Sequence, residues 1–133
     1  MKVLGVDYGR AHIGLALGDT ATQLAVPLRT LHGLSSSALA DALRKVINDE
    51  RIEQIVAGSP VSLDGKVGGA ANVAAQRFVS WLQTEINLPV AMADERLTSR
   101  AATRLRAEGS VVDEHALAAM LILQAYLEQG KTV

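Results

Sequence analysis

Apolar residues come in short runs in the first part of the chain. Runs at 3–7, 13–17 and 24–31 are separated by segments that contain the turn residues glycine and aspartate, and this pattern predicts three β-strands. Because the connections between them are too short for a crossover helix, we expect the three strands to pair in antiparallel fashion.

The spacing of apolar residues changes from Ser36 onward. Leu39, Leu43 and Ile47 fall on one face of a helix, and serines precede them as candidate N-caps, so 36–50 is predicted to be an amphipathic helix. Beyond it the patterns predict, in order, a strand at 54–58, a Gly- and Pro-containing loop at 59–70, a helix at 71–86, a strand at 88–93, and helices at 98–108 and 114–128.

The order of these elements, βββαβαβαα, predicts the fold class. The fourth and fifth strands each follow a helix, and right-handed crossover connections place such strands parallel to the first strand and beside it. We therefore expect an α/β domain with a mixed five-stranded sheet flanked by helices, which is the arrangement of an RNase H-like domain. With 133 residues, the chain is expected to form one domain over 1–133.

Composition and charge narrow the expected functions. Aromatic residues make up only 3% of the chain, which argues against an extended aromatic platform for stacking bases. The net charge of −1 gives no overall attraction to nucleic acid or anionic membranes, so binding to either would need a local basic patch. There is no cysteine, and neither a signal peptide nor a long uncharged segment is recognised, so a cytoplasmic protein without disulfides is expected.

Several acidic residues lie at or just after the ends of predicted strands, which is where functional sites commonly form. Asp7 ends the first strand, Glu95 follows the fifth, and Asp113, Glu114 and His115 begin the last helix. The carboxyl ends of parallel strands meet at one edge of a sheet, so we expect these side chains to converge there. Oxygen ligands in that arrangement suit Mg²⁺ or Mn²⁺, which could support hydrolysis of a phosphodiester bond.

Each of these residues also has an ordinary structural interpretation. Asp7 could be a turn residue, and Glu95 could pair with Arg96 or Arg100 in an exposed turn. His115 could ligate a metal or transfer a proton, or it could be a surface residue at a helix start. The convergence of several acids on one edge favours the functional interpretation over these alternatives.

Basic residues and the other histidines complete the candidate chemistry. Arg96, Arg100 and Arg104 are four residues apart and form one stripe on the predicted helix, where they could hold phosphates on either side of a cleaved bond. The alternative is a solvated helix face. His12 and His32 are interpreted as structural residues of strands or turns.

Four segments resemble the conserved blocks of the YqgF/RuvX family of Holliday junction resolvases and pre-rRNA nucleases. They are VDYGRAHIGLAL, VAGSPVSLDGKVG, DERLTSRAA and ALAAMLILQAYLEQG, in the family's order and spacing over essentially the whole chain. The resemblance implies an RNase H-like fold and endonuclease chemistry that depends on Mg²⁺ or Mn²⁺. It also implies nucleic acid as the partner, either precursor 16S rRNA matured at its 5′ end or branched DNA.

The resemblance assigns residues position by position, with one departure. The first family aspartate falls on Asp7 and the family glutamate on Glu95, but the third carboxylate position is occupied by His115. Either His115 ligates the metal, or Asp113 or Glu114 reaches in, or the site is weakened. The basic loop that often precedes the last helix in the family is also missing, which leaves substrate binding to the arginine stripe and Lys66.

Two other functions and the oligomeric state stay open. A non-catalytic nucleic-acid-binding or ribosome-assembly factor would explain the altered third ligand. A nucleotide-binding module of the actin and sugar-kinase type would need a hydroxyl after Gly9, where Arg10 and Ala11 stand, and a second lobe. Junction resolution by two symmetric cuts would call for a homodimer, whereas rRNA maturation would not.

Overall fold

The computed structural model describes residues 1–9, 11–59, 70–94 and 114–129, and the described residues form five strands and three helices. The predicted helix at 98–108 and most of the predicted loop at 59–70 lie outside them. No described helix is long and apolar enough to cross a membrane. The strands are Lys2–Tyr8 (β1), His12–Asp19 (β2), Leu24–His32 (β3), Gln54–Ser59 (β4) and Val90–Asp94 (β5), and the helices are Ser36–Glu50 (α1), Ala70–Glu85 (α2) and Glu114–Glu128 (α3).

The five strands form one mixed sheet in the order β3-β2-β1-β4-β5. β1 pairs antiparallel with β2, and β2 pairs antiparallel with β3. β4 runs parallel to β1, and β5 runs parallel to β4. The predicted α/β fold class, with its mixed sheet and central first strand, is therefore confirmed. β5 begins two residues later than predicted, after Pro89, because proline has no N–H to donate to a strand ladder.

Helix α1 begins and ends at residues suited to those positions. The side chain of Ser35 accepts a hydrogen bond from the Ala38 amide at 3.3 Å, which satisfies one of the free donors of the first turn. Arg51 ends the helix in the left-handed region with φ of 56°, and its N–H donates to the Ile47 carbonyl. The buried face of the helix consists of Leu39, Ala40, Leu43 and Val46.

Two apolar cores lie on opposite faces of the sheet. On one face, Leu4 and Val6 of β1 pack with buried residues of α1 and α2. On the other face, Val3 packs with buried residues of α3. Alternate residues of β1 thus enter different cores, which is why the strand is apolar almost throughout.

Three glycines let α3 lie directly on the sheet. A Cβ at Gly5 would come within 2.9 Å of the Leu123 Cβ, and a Cβ at Gly18 within 2.8 Å of the Leu123 Cδ2. A Cβ at Gly14 would overlap the backbone carbonyl of His115. The helix therefore runs over β1 and β2 at close range, and its first turn is fixed above Gly14, near the carboxyl end of β1.

We expect the Gly14→Ala variant to be destabilised by about 1–3 kcal/mol, because the added methyl group would push the backbone of α3 off the sheet. The matched control is Gly18→Ala, where the atoms nearest to the methyl group belong to the side chains of Leu123 and Leu127 and not to the backbone. Urea unfolding measures both changes. Equal destabilisation of the two variants would show that α3 is not seated at Gly14 by backbone contact.

Candidate active site

Asp7 is the penultimate residue of β1, and its side chain is half-buried. Its neighbours Val6 and Tyr8 belong to the core under α1 and α2, so the alternation of a strand puts Asp7 on the opposite face, which α3 covers. A carboxylate at this point stands at the carboxyl end of the central strand, where α/β sheets usually place their sites.

Helix α3 brings the backbone of His115 to the carboxyl end of β1, where Asp7 lies. His115 is the second residue of the helix, and its backbone lies against Gly14. Gly14 is in turn the direct cross-strand partner of Asp7 in the β1–β2 ladder. Such partners have Cα atoms about 4.5–5.5 Å apart, so the start of α3 lies one strand away from Asp7. The structure therefore brings these two predicted site residues together.

Two further histidines are linked to His115, the first by direct ring contact and the second through the first. The ring of His12 is 4.7 Å from the ring of His115 between centroids, with 33° between their planes. On its other side, the Nδ1 atom of His12 is 2.6 Å from the Nδ1 atom of His32. In a hydrogen bond between two Nδ1 atoms, one ring donates and the other accepts, so the contact links the two rings directly.

The contact of His12 with the candidate site was not expected from the sequence. Both His12 and His32 are interpreted there as structural residues, yet they form a continuous ring contact with His115. The sequence feature that could have indicated this contact is the predicted antiparallel hairpin of the second and third strands. An antiparallel hairpin aligns its outer ends, and those ends are His12 and His32.

The ends of β4 and β5 lie at the same edge of the sheet. Ser59, the last residue of β4, pairs with Asp94, the last residue of β5, and β4 is itself parallel to β1. β5 therefore ends at the edge where Asp7 stands, and Glu95 is the next residue in the sequence. The other predicted site residues lie outside the described residues, and they are Lys66, Glu95, Arg96, Arg100, Arg104 and Asp113.

Asp7 and His115 are the predicted metal ligands that lie among the described residues. Across residues 1–9, 11–59, 70–94 and 114–129, no three His, Asp or Glu side chains are arranged to hold a metal ion. Asp7 offers a carboxylate, the ligand type that Mg²⁺ and Mn²⁺ prefer, and His115 offers an imidazole, which suits transition metals better than Mg²⁺. Carboxylates and imidazoles are both donor types that divalent cations use, and an imidazole suits Mn²⁺ better than Mg²⁺.

Comparison with known proteins gives consistent matches over nearly the full chain. Residues 1–129 match the RuvX family, described as Holliday junction resolvase. A protein of Koribacter versatilis (strain Ellin345) named "Putative pre-16S rRNA nuclease" is 39% identical over 136 residues, covering 96% of this chain and 87% of the relative. A protein with the same name from Anaeromyxobacter sp. (strain K) is 36% identical over 135 residues, covering 97% of this chain and 98% of the relative.

A solved structure shares the fold. Thermus thermophilus RuvC in complex with a Holliday junction substrate aligns with a TM-score of 0.62 and 16% sequence identity. The alignment covers 99% of this chain and 96% of that chain. The predicted RNase H-like fold is thereby confirmed.

Proposed function

This chain belongs to the RuvX family, and we propose that it is a nuclease that hydrolyses phosphodiester bonds in structured nucleic acid with Mg²⁺ or Mn²⁺ as cofactor. One observation carries the proposal. The contact of Gly14 with the backbone of His115 brings an imidazole to the strand that pairs with Asp7, at the carboxyl end of the central strand.

The residues have distinct roles in this proposal. Asp7 and His115 would hold the cation together with Glu95, and Asp113 is the further candidate for this site. Bound there, a divalent cation would supply a nucleophilic water near neutral pH and stabilise charge on the leaving oxygen. His12 acts as a positioning residue, since its ring lies 4.7 Å from that of His115 and restricts how the latter can turn.

Substrate binding is assigned to the basic residues around this edge. Arg96, Arg100, Arg104 and Lys66 would neutralise phosphates on both sides of the cleaved bond, which compensates for a net charge of only −1 overall. The proposed substrates are the 5′ precursor segment of 16S rRNA and four-way DNA junctions. A junction requires two symmetric cuts and hence a homodimer, whereas the rRNA requires one cut.

Cleavage and binding of both substrates, measured side by side, test this function. We expect the purified protein to cut a 5′-extended 16S rRNA fragment, a four-way DNA junction or both when Mn²⁺ or Mg²⁺ is present, and neither when EDTA is present. A linear DNA duplex of the junction's arm sequence serves as the control substrate. Binding is measured in EDTA on the same molecules by fluorescence anisotropy.

The binding measurement separates the nuclease from its main alternative. Binding to either structured substrate without cleavage in Mg²⁺ or Mn²⁺ would contradict the proposal and favour a non-catalytic ribosome-assembly or nucleic-acid-binding factor. The presence of His115 where the family has its third carboxylate is the observation that makes this alternative worth testing.

A further inference from the structure

Three of the four aromatic side chains of the protein are stacked beside the end of β1. The rings of Tyr8 and Phe78 are 4.5 Å apart between centroids, and those of Phe78 and Trp81 are 5.9 Å apart. In each pair the ring planes are inclined by only 21°. Phe78 is buried and contacts both other rings, whereas Tyr8 and Trp81 are half-buried.

These rings line a partly open cavity of about 390 Å³. Its walls come from the ends of β1 and β3, the turn before β2, and the facing sides of α1 and α2. The lining combines apolar side chains with four that carry polar groups, and these are Tyr8, Ser36, the exposed Arg77 and Trp81. The volume lies at the lower end of the roughly 300–1,000 Å³ typical of small-ligand pockets.

The chemistry of the cavity matches a planar ligand that carries negative charge. Near-parallel rings favour a flat aromatic group, which can stack on them with offset geometry. Arg77 is the cationic side chain of the lining, and the ion pairs between described residues do not include it. A guanidinium of this kind can bind a phosphate. A nucleobase attached to its phosphate has both properties.

The cavity is next to the candidate active site in sequence and in space. Tyr8 directly follows Asp7, so their Cα atoms are about 3.8 Å apart. Strand alternation sends the two side chains to opposite faces of the sheet at its carboxyl edge. A nucleic-acid strand that passes this edge with a phosphate at Asp7 would have a neighbouring base within reach of Tyr8.

We propose that this cavity binds one unpaired nucleobase of the substrate, next to the cleaved phosphate, with the base against the aromatic rings and a phosphate on Arg77. This inference rests on the proposed nuclease function. It makes the enzyme selective for cleavage beside a nucleotide that can leave its stack, as at a branch point or in a single-stranded RNA segment. The low aromatic content of the chain is consistent with it, since one base needs only one small stack.

The single tryptophan of the chain provides a direct test, because Trp81 lines the cavity. The protein is titrated in EDTA into a fluorescein-labelled single-stranded hexanucleotide, and the anisotropy of the label gives the affinity. In a second titration, an unlabelled copy of the hexanucleotide is added to the protein and the emission of Trp81 is followed. A hexanucleotide with the same backbone and no bases is the comparison. We expect saturable quenching by the natural strand and about tenfold weaker binding without quenching by the abasic strand.

Two variants test the assignment of the cavity. Tyr8→Leu removes one ring and is expected to weaken binding of the natural strand about tenfold while leaving the abasic strand unaffected. Arg77→Gln changes an exposed side chain, and it should reduce the slope of log affinity against log salt by about 0.7. The matched control is Arg29→Gln, an exposed arginine of β3 that does not line the cavity and should change neither quantity.

Failure of this inference is distinguishable from failure of the proposed function. Equal affinity for the natural and abasic strands, binding without any change in Trp81 emission, or no binding at all would overturn the cavity assignment. If the protein still cleaved structured nucleic acid in those cases, the nuclease function would stand. Base-dependent quenching in a protein that cleaves nothing would support the cavity and contradict the nuclease.

Discussion

Replacing Asp7 with asparagine is expected to reduce cleavage about 10³-fold or more while the protein stays folded. Asparagine has nearly the same shape as aspartate, so the half-buried position at the end of β1 is filled as before. The change removes a negative charge that the proposed cation requires. Metal catalysis is worth several kcal/mol, and each 1.36 kcal/mol corresponds to a tenfold rate.

The matched control for this variant is Asp49→Asn, the same substitution at an exposed position of α1. Single-turnover cleavage in Mn²⁺ measures the effect, and urea unfolding checks that both variants are folded. We expect Asp49→Asn to cleave at the parental rate. An Asp7→Asn protein that cleaved as fast as Asp49→Asn would remove Asp7 from the active site.

The second large effect is expected at His115, where the type of ligand decides the preferred metal. His115→Ala should lower cleavage by at least about 10–100-fold, because losing a residue that only supports a metal ligand already costs that much. His115→Asp should restore cleavage in Mg²⁺, because a carboxylate suits Mg²⁺ better than an imidazole does. The ratio of the rate in Mn²⁺ to the rate in Mg²⁺ should therefore fall about tenfold from the parent to His115→Asp.

His32→Ala is the control for a general effect of losing a histidine. His32 contacts His12 but belongs to the edge strand β3, one ring farther from Asp7. We expect its loss to leave the ratio of rates in the two metals unchanged. If His115→Asp and His32→Ala both kept the parental ratio, then Asp113 or Glu114 would be the better assignment for the third ligand.

Much of the fold follows from local patterns in the sequence. The described strands and helices lie within about two residues of their predicted bounds, because apolar spacing and the N-cap serine before α1 act over a few residues. The parallel placement of β4 and β5 followed from the handedness of the two crossover connections. These rules need no knowledge of distant contacts.

The parts of the site that the sequence did not predict depend on distant contacts. The seating of α3 on Gly14 involves residues about 100 positions apart, and nothing near either residue indicates it. The aromatic stack joins Tyr8 of β1 to Phe78 of α2. The low aromatic content of the chain had argued against base stacking. The location of Asp7 and the end of β5 at the same edge of the sheet was predictable, because the carboxyl ends of parallel strands lie at one edge.

Binding of Mn²⁺ itself tests the central claim most directly. Titrating Mn²⁺ into the parent, Asp7→Asn and Asp49→Asn proteins, with free Mn²⁺ counted by electron paramagnetic resonance, gives affinities without any cleavage. The proposed site predicts that the parent and Asp49→Asn bind Mn²⁺ equally and that Asp7→Asn binds it at least about tenfold more weakly. Equal affinity of all three proteins would contradict a metal site at Asp7.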